Sequence, residues 1–277
     1  MIIKTSEINF RHIDGKTEFY CLFCMNLKKD IMKAMIFAAG LGTRLRPFTD
    51  NMPKALVPVN GRPLLEHIIL KLKDAGFQEI IVNVHHFPDM IIGFLKTNDN
   101  FGMRIEISDE REMLLDTGGA IKKAAHFFDD GKPFLVHNVD ILSNLDLKEV
   151  CCQQVADPGR LATLVVSQRD TYRYLLFDKQ NYLCGWINEK TGETKPGTFP
   201  DLKIYNKLAY AGIQVISPAV FQLMAQQEDK FPIMDFYLQH CRTEKISAFI
   251  PDDLKMMDMG KTDLLTEGDL FAKQYML

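Results

Sequence analysis

The sequence predicts an α/β protein built on a Rossmann-like sheet, mixed but mostly parallel, and flanked by helices. Three observations carry this expectation. Apolar strand-like runs alternate with runs of helical period through the first half. The strand-like runs are apolar at consecutive positions, as strands covered on both faces are. After residue 160 the runs become shorter and are separated by turns rich in Asn, Gly and Lys, which adds partly antiparallel strands.

Taken in order, KAMIFAA (33–39) reads as a buried strand, and PLLEHIILKLKDAG (63–76) spaces Leu64, Leu65, Ile68, Ile69 and Leu72 along one helix face until Gly76. EIIVNV (79–84) is a strand. PDMIIGFLKT (88–97) is a helix with Pro at its start, RIEIS (104–108) a strand, GGAIKKAAHFF (118–128) a helix and PFLVHNVD (133–140) a strand. ATLVVSQR, YLLFD, YLCGWIN and LAYAGIQVIS supply the shorter strands of the second half. Helices follow at 218–227, at 231–243 and after Thr262. No repeat, low-complexity tract or linker divides residues 32–277, so they read as one domain preceded by an extension, residues 1–31.

Composition narrows the function. The chain has 277 residues, of which 47% are hydrophobic and 25% charged, ordinary values for a globular protein with a sizeable core. A formal net charge of −3 gives no basic excess, which argues against nucleic acid or an anionic membrane as partner, so an anionic ligand must be held by local cations. No apolar run approaches the ~20 residues that span a bilayer, and residues 1–31 carry charges throughout. The expected location is cytoplasmic. The six cysteines form no framework of paired bridges and read as reduced thiols; Cys21 and Cys24 make a lone C-x-x-C, weak as a zinc signal.

The densest chemistry lies in AAGLGTRLRPFTDNMPKALVPV (38–59). Gly40 and Gly42 follow a buried strand, where a glycine turn lets backbone N–H groups approach phosphate oxygens. Leu45 stands where a dinucleotide fingerprint has its third glycine, and no G-K-[ST] follows as in a P-loop. Instead there are fixed cations, Arg44 and Lys54, on a loop stiffened by Pro47, Pro53 and Pro58. Two cations at a phosphate cradle suggest a triphosphate. Downstream, Asp140 ends an apolar strand at the edge where open α/β sheets collect ligands; an aspartate there also serves as a plain turn residue.

From Gly40 through Pro58 the string G-x-G-T-R-x-x-P-x-T-x-x-x-P-K-x-L-x-P closely resembles the signature of the sugar-1-phosphate nucleotidyltransferases. The resemblance extends over roughly residues 32 to 277, and the compact C-terminal half looks more like the N-acetylmuramate-1-phosphate uridylyltransferase and short mannose-1-phosphate guanylyltransferase types than the long forms. It implies the nucleotide-diphospho-sugar transferase fold and transfer of a nucleotidyl group, from UTP or GTP, to a sugar 1-phosphate. Nucleotide contacts then fall on Ala39, Gly40, Gly42, Thr43, Arg44 and Lys54, with Arg44, Lys54 and Asp140 the catalytic set. Asp258, in MMDMG, pairs with Asp140 as a Mg²⁺ ligand. Val139 replaces the glycine usual before that first aspartate, while Asn138 keeps its place and is expected on the sugar.

LLDTGGAI (114–121) resembles the segment whose backbone lies against the nucleobase, with Asp116 for the more usual glutamate. Gly118 and Gly119 there serve either a close backbone approach or a helix start. Asp109 and Glu110 flank the base, with Asn83, His85 and His86 near enough in topology to consider. Arg173, Asn188 and Glu189 occupy the sugar-contacting region or form a hairpin with solvated charges; Lys190 lacks the proline that follows the sugar-phosphate lysine of longer relatives. Two alternatives share the signature: a cytidylyltransferase with a non-sugar phosphate acceptor, and a non-catalytic sensor of nucleotide sugars. Homo-oligomerisation is left open. Relatives begin almost at Met32, so the extension is expected to be catalytically idle.

Overall fold

The computed structural model describes residues 8–13, 16–21, 32–260 and 264–276. Cys24, Thr262 and most of the 1–31 extension lie outside the described residues. Strands β1 (Ile8–Ile13) and β2 (Lys16–Cys21) pair antiparallel as a separate two-stranded ribbon, apart from the main sheet.

The chain then builds β3 (Lys33–Phe37), the short ribbon β4 (Pro58–Val59) with β5 (Arg62–Pro63), helix α1 (Leu64–Asp74), β6 (Glu79–Val84), helix α2 (Pro88–Thr97) and β7 (Arg104–Asp109). Helix α3 (Asp116–Lys123), β8 (Phe134–Asn138), β9 (Ile141–Ser143) and α4 (Leu147–Val155) complete the first half. The second half holds β10 (Arg160–Ser167), β11 (Arg173–Phe177), β12 (Leu183–Asn188), β13 (Glu193–Lys195) and β14 (Asn206–Ile216). Helices α5 (Val220–Met224) and α6 (Ile233–His240), strands β15 (Lys245–Phe249) and β16 (Met256–Asp258), and helix α7 (Leu265–Tyr275) close the chain.

Ten strands form one sheet in the order β13-β12-β11-β14-β8-β3-β6-β7, with β10 paired to β14 and β15. Strands β8, β3, β6 and β7 run parallel, and β14 joins β8 antiparallel, so the sheet is mixed as the change of texture after residue 160 implied. One core, around Ile36, Leu65 and Ile69, collects α1, α2, α4 and α7 on one face. A second, around Met35, Phe134 and Tyr237, collects α3, α5 and α6 on the other. Continuous apolar strands follow from this two-sided burial.

Several boundaries differ from the sequence expectation. The first strand stops at Phe37, freeing Ala38 and Ala39 for the loop. The 118–128 helix is α-helical over Asp116–Lys123 and continues as a 3-10 turn over Ala124–Phe128. Helix α4 and the ribbon of β9 with β16 were not anticipated, being short and without a clean period. Cys151, Cys184 and Cys241 are free thiols, but Cys152 is disulfide-bonded, which corrects the expectation that all six cysteines are reduced; spacing alone carries no sign of that bond. Among the described residues no helix is long and apolar enough to cross a membrane.

Candidate functional site

Register sets the site. Phe37 of β3 lies level with Asn83 of β6 and Asn138 of β8, so three parallel strands present their carboxyl ends in one row. Ligands of open α/β sheets gather at this edge. The glycine loop leaves β3 there. Gly42 adopts φ +64°, and a Cβ on it would come 2.7 Å from the Thr49 methyl, so the turn itself requires glycine. Thr49 Oγ1 donates to the Gly42 carbonyl at 2.8 Å and fixes the loop. Gly40 differs: it is exposed, and a Cβ there would meet nothing within 4 Å. Thr43 and Arg44 follow on a 3-10 turn, both exposed, while Ala39 is buried beneath.

The cations and carboxylates converge from distant segments. Lys54 forms an ion pair with Asp140, their side chains only 12% and 16% exposed. Asp258 ends β16 opposite Ile141 of β9, and the Met259 N–H donates to the Asp140 carbonyl at 2.8 Å. The backbone segments that carry the two aspartates therefore meet at one end of this ribbon. Asp258 accepts the Gly260 N–H at 2.9 Å, and a Cβ on Gly260 would lie 2.7 Å from the Asp258 carboxylate and 3.0 Å from the Arg44 guanidinium. Arg44, Asp258 and Gly260 are thus immediate neighbours, and a side chain at 260 would displace the Asp258 carboxylate and the Arg44 guanidinium. Val139 continues the strand pattern by donating to the Phe37 carbonyl at 3.1 Å, and its side chain is buried. Its departure from glycine is absorbed by the core.

Asn138 sits beside Gly212 of β14: a Cβ there would come 2.9 Å from Asn138 Nδ2, at a φ of +77°. Sequence reasoning noted the glycine behind Asp258 but passed over Gly212. A lone glycine in an apolar strand carries a signal only when its neighbour across the sheet is known.

The nucleobase candidates are placed differently. Glu110 is 1% exposed, and its carboxylate accepts from Asn83 Nδ2 at 2.8 Å and from the Leu115 N–H at 3.1 Å. Burial raises its pKa, against the lowering effect of those two bonds. Asn83 in turn accepts the Ala38 N–H at 2.7 Å, so Glu110 steadies the start of the glycine loop through Asn83. The Gly118 and Gly119 N–H groups both donate to the Phe231 carbonyl, at 2.8 and 3.2 Å. A Cβ on Gly119 would come 2.0 Å from the Asp229 carbonyl, so the close approach this pair permits is made to residues 229–231. Glu110 and Gly119 line one cavity of about 560 Å³ with Arg111 and Lys122. Asp116 takes φ +58°, a conformation aspartate tolerates. Arg173 lies opposite Asn188 across β11 and β12, while Glu189 is paired with Lys207 at 2.7 Å.

A glycine turn, two cations and two aspartates gather at the carboxyl edge of a parallel sheet, the edge at which open α/β sheets collect their ligands. Residues 33–274 match the family model described as nucleotidyl transferase, and the chain belongs to that family. It is 46% identical over 109 residues to N-acetylmuramate alpha-1-phosphate uridylyltransferase of Caulobacter vibrioides, covering 39% of this chain and 45% of that one. To mannose-1-phosphate guanylyltransferase 1 of Arabidopsis thaliana it is 33% identical over 193 residues, 68% of this chain and 51% of the other. The chain spans about half the length of the curated relatives it matches. In fold it is similar to HddC from Yersinia pseudotuberculosis, with a TM-score of 0.70 at 23% identity, covering 87% of this chain and 99% of that one. UDP-glucose pyrophosphorylase from Acinetobacter baumannii superposes with a TM-score of 0.69 at 18% identity, covering 88% and 93%. The architecture is the nucleotide-diphospho-sugar transferase fold.

Proposed function

We propose that this domain transfers a nucleotidyl group from a nucleoside triphosphate to a sugar 1-phosphate, giving a nucleoside diphosphate sugar and pyrophosphate. The observation that carries the reading is the convergence of Lys54, Asp140, Asp258 and Arg44 beside the glycine turn. UTP or GTP is the favoured donor, in keeping with the uridylyl and guanylyl transfers named for the two relatives. A cytoplasmic setting, where nucleoside triphosphates are made, suits the reaction.

In this reaction a phosphate oxygen of the acceptor attacks the α-phosphorus, a new P–O bond forms, and the bond to pyrophosphate breaks with its electron pair leaving on pyrophosphate. The acceptor is already an anionic nucleophile near neutral pH, so the protein needs no strong base. Its work is to bring two anions together and neutralise charge. The open space at Gly40 admits the triphosphate to backbone N–H groups, and Arg44 and Lys54 supply positive charge on either side of the aspartates. Asn138, at the end of β8, is the residue assigned to the sugar in this reading.

Asp140 and Asp258 fit a hard divalent cation such as Mg²⁺, because both offer carboxylate oxygens from one ribbon end. Among the described residues no group of three or more ligating side chains gathers, so phosphate oxygens would complete the shell. Such an ion would neutralise charge developing on the phosphates. Pyrophosphate release from a panel of triphosphates and phosphorylated acceptors tests the reading. Activity confined to CTP with an alcohol phosphate would replace it, and tight nucleotide-sugar binding without turnover would make the protein a sensor.

A further inference from the structure

Helix α1 is bonded to both of the segments that meet in the Lys54–Asp140 ion pair. At its start the Leu64 N–H donates to the Val57 carbonyl at 3.1 Å, and the Val57 N–H donates to the Lys54 carbonyl at 3.1 Å. Within the same turn His67 Nε2 donates to the Val59 carbonyl at 2.8 Å. One turn further along that face, Lys71 Nζ donates to the Ser143 carbonyl of β9 at 2.9 Å. The helix thus holds the Lys54 loop by its first turn and β9 by its last.

The carbonyl that Lys71 meets faces away from the ribbon. Between β9 and β16 the Met259 N–H donates to the Asp140 carbonyl and the Asn144 N–H to the Lys255 carbonyl. Opposed residues of an antiparallel pair alternate between bonded and non-bonded, so Asp140, Leu142 and Asn144 turn their backbone groups toward β16 while Ser143 turns its carbonyl outward. Ser143 is fully buried, and a buried carbonyl needs a partner from the protein. Lys71 is the side chain that supplies it. Burial lowers the Lys71 pKa from 10.5 to about 8, against the raising pull of Asp146, so at neutral pH the donor is still charged and its bond the stronger for it.

We propose that Lys71 is a positioning residue for the divalent-cation site: by fixing the outer edge of β9 to α1 it sets where Asp140 and, through the ladder to β16, Asp258 stand relative to Lys54. The inference rests on the nucleotidyl-transfer reading above. Ser143 follows Asp140 along one extended stretch and lies opposite Met256, on the strand that Asp258 ends, so a shift of this edge moves both carboxylates together. The bonds close a ring, from Lys54 through Val57, α1, Lys71, Ser143 and Asp140 back to Lys54. Removing the Lys71 link opens that ring on the side of the aspartates and leaves the loop of Lys54 still tied to α1 by Leu64 and His67.

Lys71→Met keeps the apolar stem and removes the donor, whereas Lys71→Arg keeps a charged donor. The full chain is measured under conditions where circular dichroism shows each variant folded. In Lys71→Met, metal-free amide exchange at Asn144 and Met259 should quicken by about tenfold or more. Binding of Mn²⁺ alone, read by its paramagnetic resonance, should weaken by about fivefold or more, and the Mg²⁺ concentration for half-maximal pyrophosphate release should rise to match, with KM for the triphosphate at saturating Mg²⁺ within about twofold of wild type. Lys71→Arg should restore most of each. A lower urea midpoint with unchanged Mn²⁺ affinity and Mg²⁺ requirement would make the bond one of stability only and overturns the proposal, as do equal losses in the methionine and arginine variants. Should Lys71→Met not fold, Lys71→Gln, a shorter neutral donor, takes its place, with a raised Mg²⁺ requirement expected and a wild-type one overturning the proposal. Failure of wild type to release pyrophosphate from any triphosphate refutes the transfer reading instead, and amide exchange and Mn²⁺ binding still decide the part of Lys71.

Discussion

Replacing His137 by leucine tests the wall behind the candidate site. His137 sits in β8 three residues before Asp140, level with Ile36 and Ile213, and is fully buried. Its Nδ1 lies 2.8 Å from the Asn138 carbonyl, which can only accept, so Nδ1 carries the hydrogen; Nε2 is buried with no partner. Burial pushes the pKa down from 6.5 to about 4, against the pull of the Asn138 carbonyl, while Lys71 lowers it further and Asp140 raises it. The folded pKa lies below the unfolded one, so the unfolded chain takes up the proton first. Stability from this group is therefore full above pH 6.5 and is lost as pH falls from 6.5 toward 4. Those two values make the loss about 2 kcal/mol between pH 7 and pH 5, and about 3 kcal/mol by pH 4. Leucine is apolar and of similar size, and it does not titrate. Urea unfolding of both proteins across this range should show wild type losing about 2 kcal/mol more than His137→Leu by pH 5. Other titrating groups, such as Glu110 and His126, are common to both and cancel in the difference. Parallel pH profiles would refute the assignment of a buried neutral imidazole.

Asp140→Asn and Asp258→Asn should each cost on the order of 100-fold or more in pyrophosphate release, and weaken Mn²⁺ binding read by its paramagnetic resonance, with little change in thermal unfolding for Asp258→Asn and a measurable loss for Asp140→Asn, which leaves the largely buried Lys54 without its ion-pair partner; wild-type rates at saturating Mg²⁺ would remove the metal role. Arg44→Ala, at an exposed position, should lower the rate far more than the stability, whereas Lys54→Ala should lower both because it leaves the Asp140 carboxylate unpaired; normal activity per folded molecule in either variant would show that its part is structural. The two loop glycines should separate: Gly42→Ala is expected to destabilise by about 1–3 kcal/mol through its positive φ and the Thr49 contact, whereas Gly40→Ala, with open space around it, should leave denaturant unfolding near wild type. Glu110→Gln removes a carboxyl whose pKa is raised by burial, so the fall in wild-type stability as pH rises from 4.5 through the folded pKa should be smaller in the variant. An unchanged slope would mean that the carboxyl ionises as freely in the fold as in the unfolded chain.

What could be read from the residues alone was whatever short-range chemistry decides. Strand and helix alternation up to residue 140 follows from periods of two and 3.6, which a chain carries in its own spacing. The glycine turn and its cations from Gly40 to Lys54 lie within one loop, so their kinship to the sugar-1-phosphate nucleotidyltransferases was visible in the chain itself. The pairing of Lys54 with Asp140, 86 residues apart, and the seating of Asp258 beside Asp140 depend on strand order and on the β9–β16 register, which no local pattern encodes. Burial is likewise a tertiary matter: Glu110 reads as a ligand-facing acid but turns inward to Asn83 and Leu115, because packing of residues 110–115 against β6 closes over it. Gly118 and Gly119 look equally suited to a base or a helix start until residues 229–231 arrive and take both N–H groups. Lys71 is the same case, since only the packing of β9 against α1 brings the Ser143 carbonyl, 72 residues along the chain, to its ammonium.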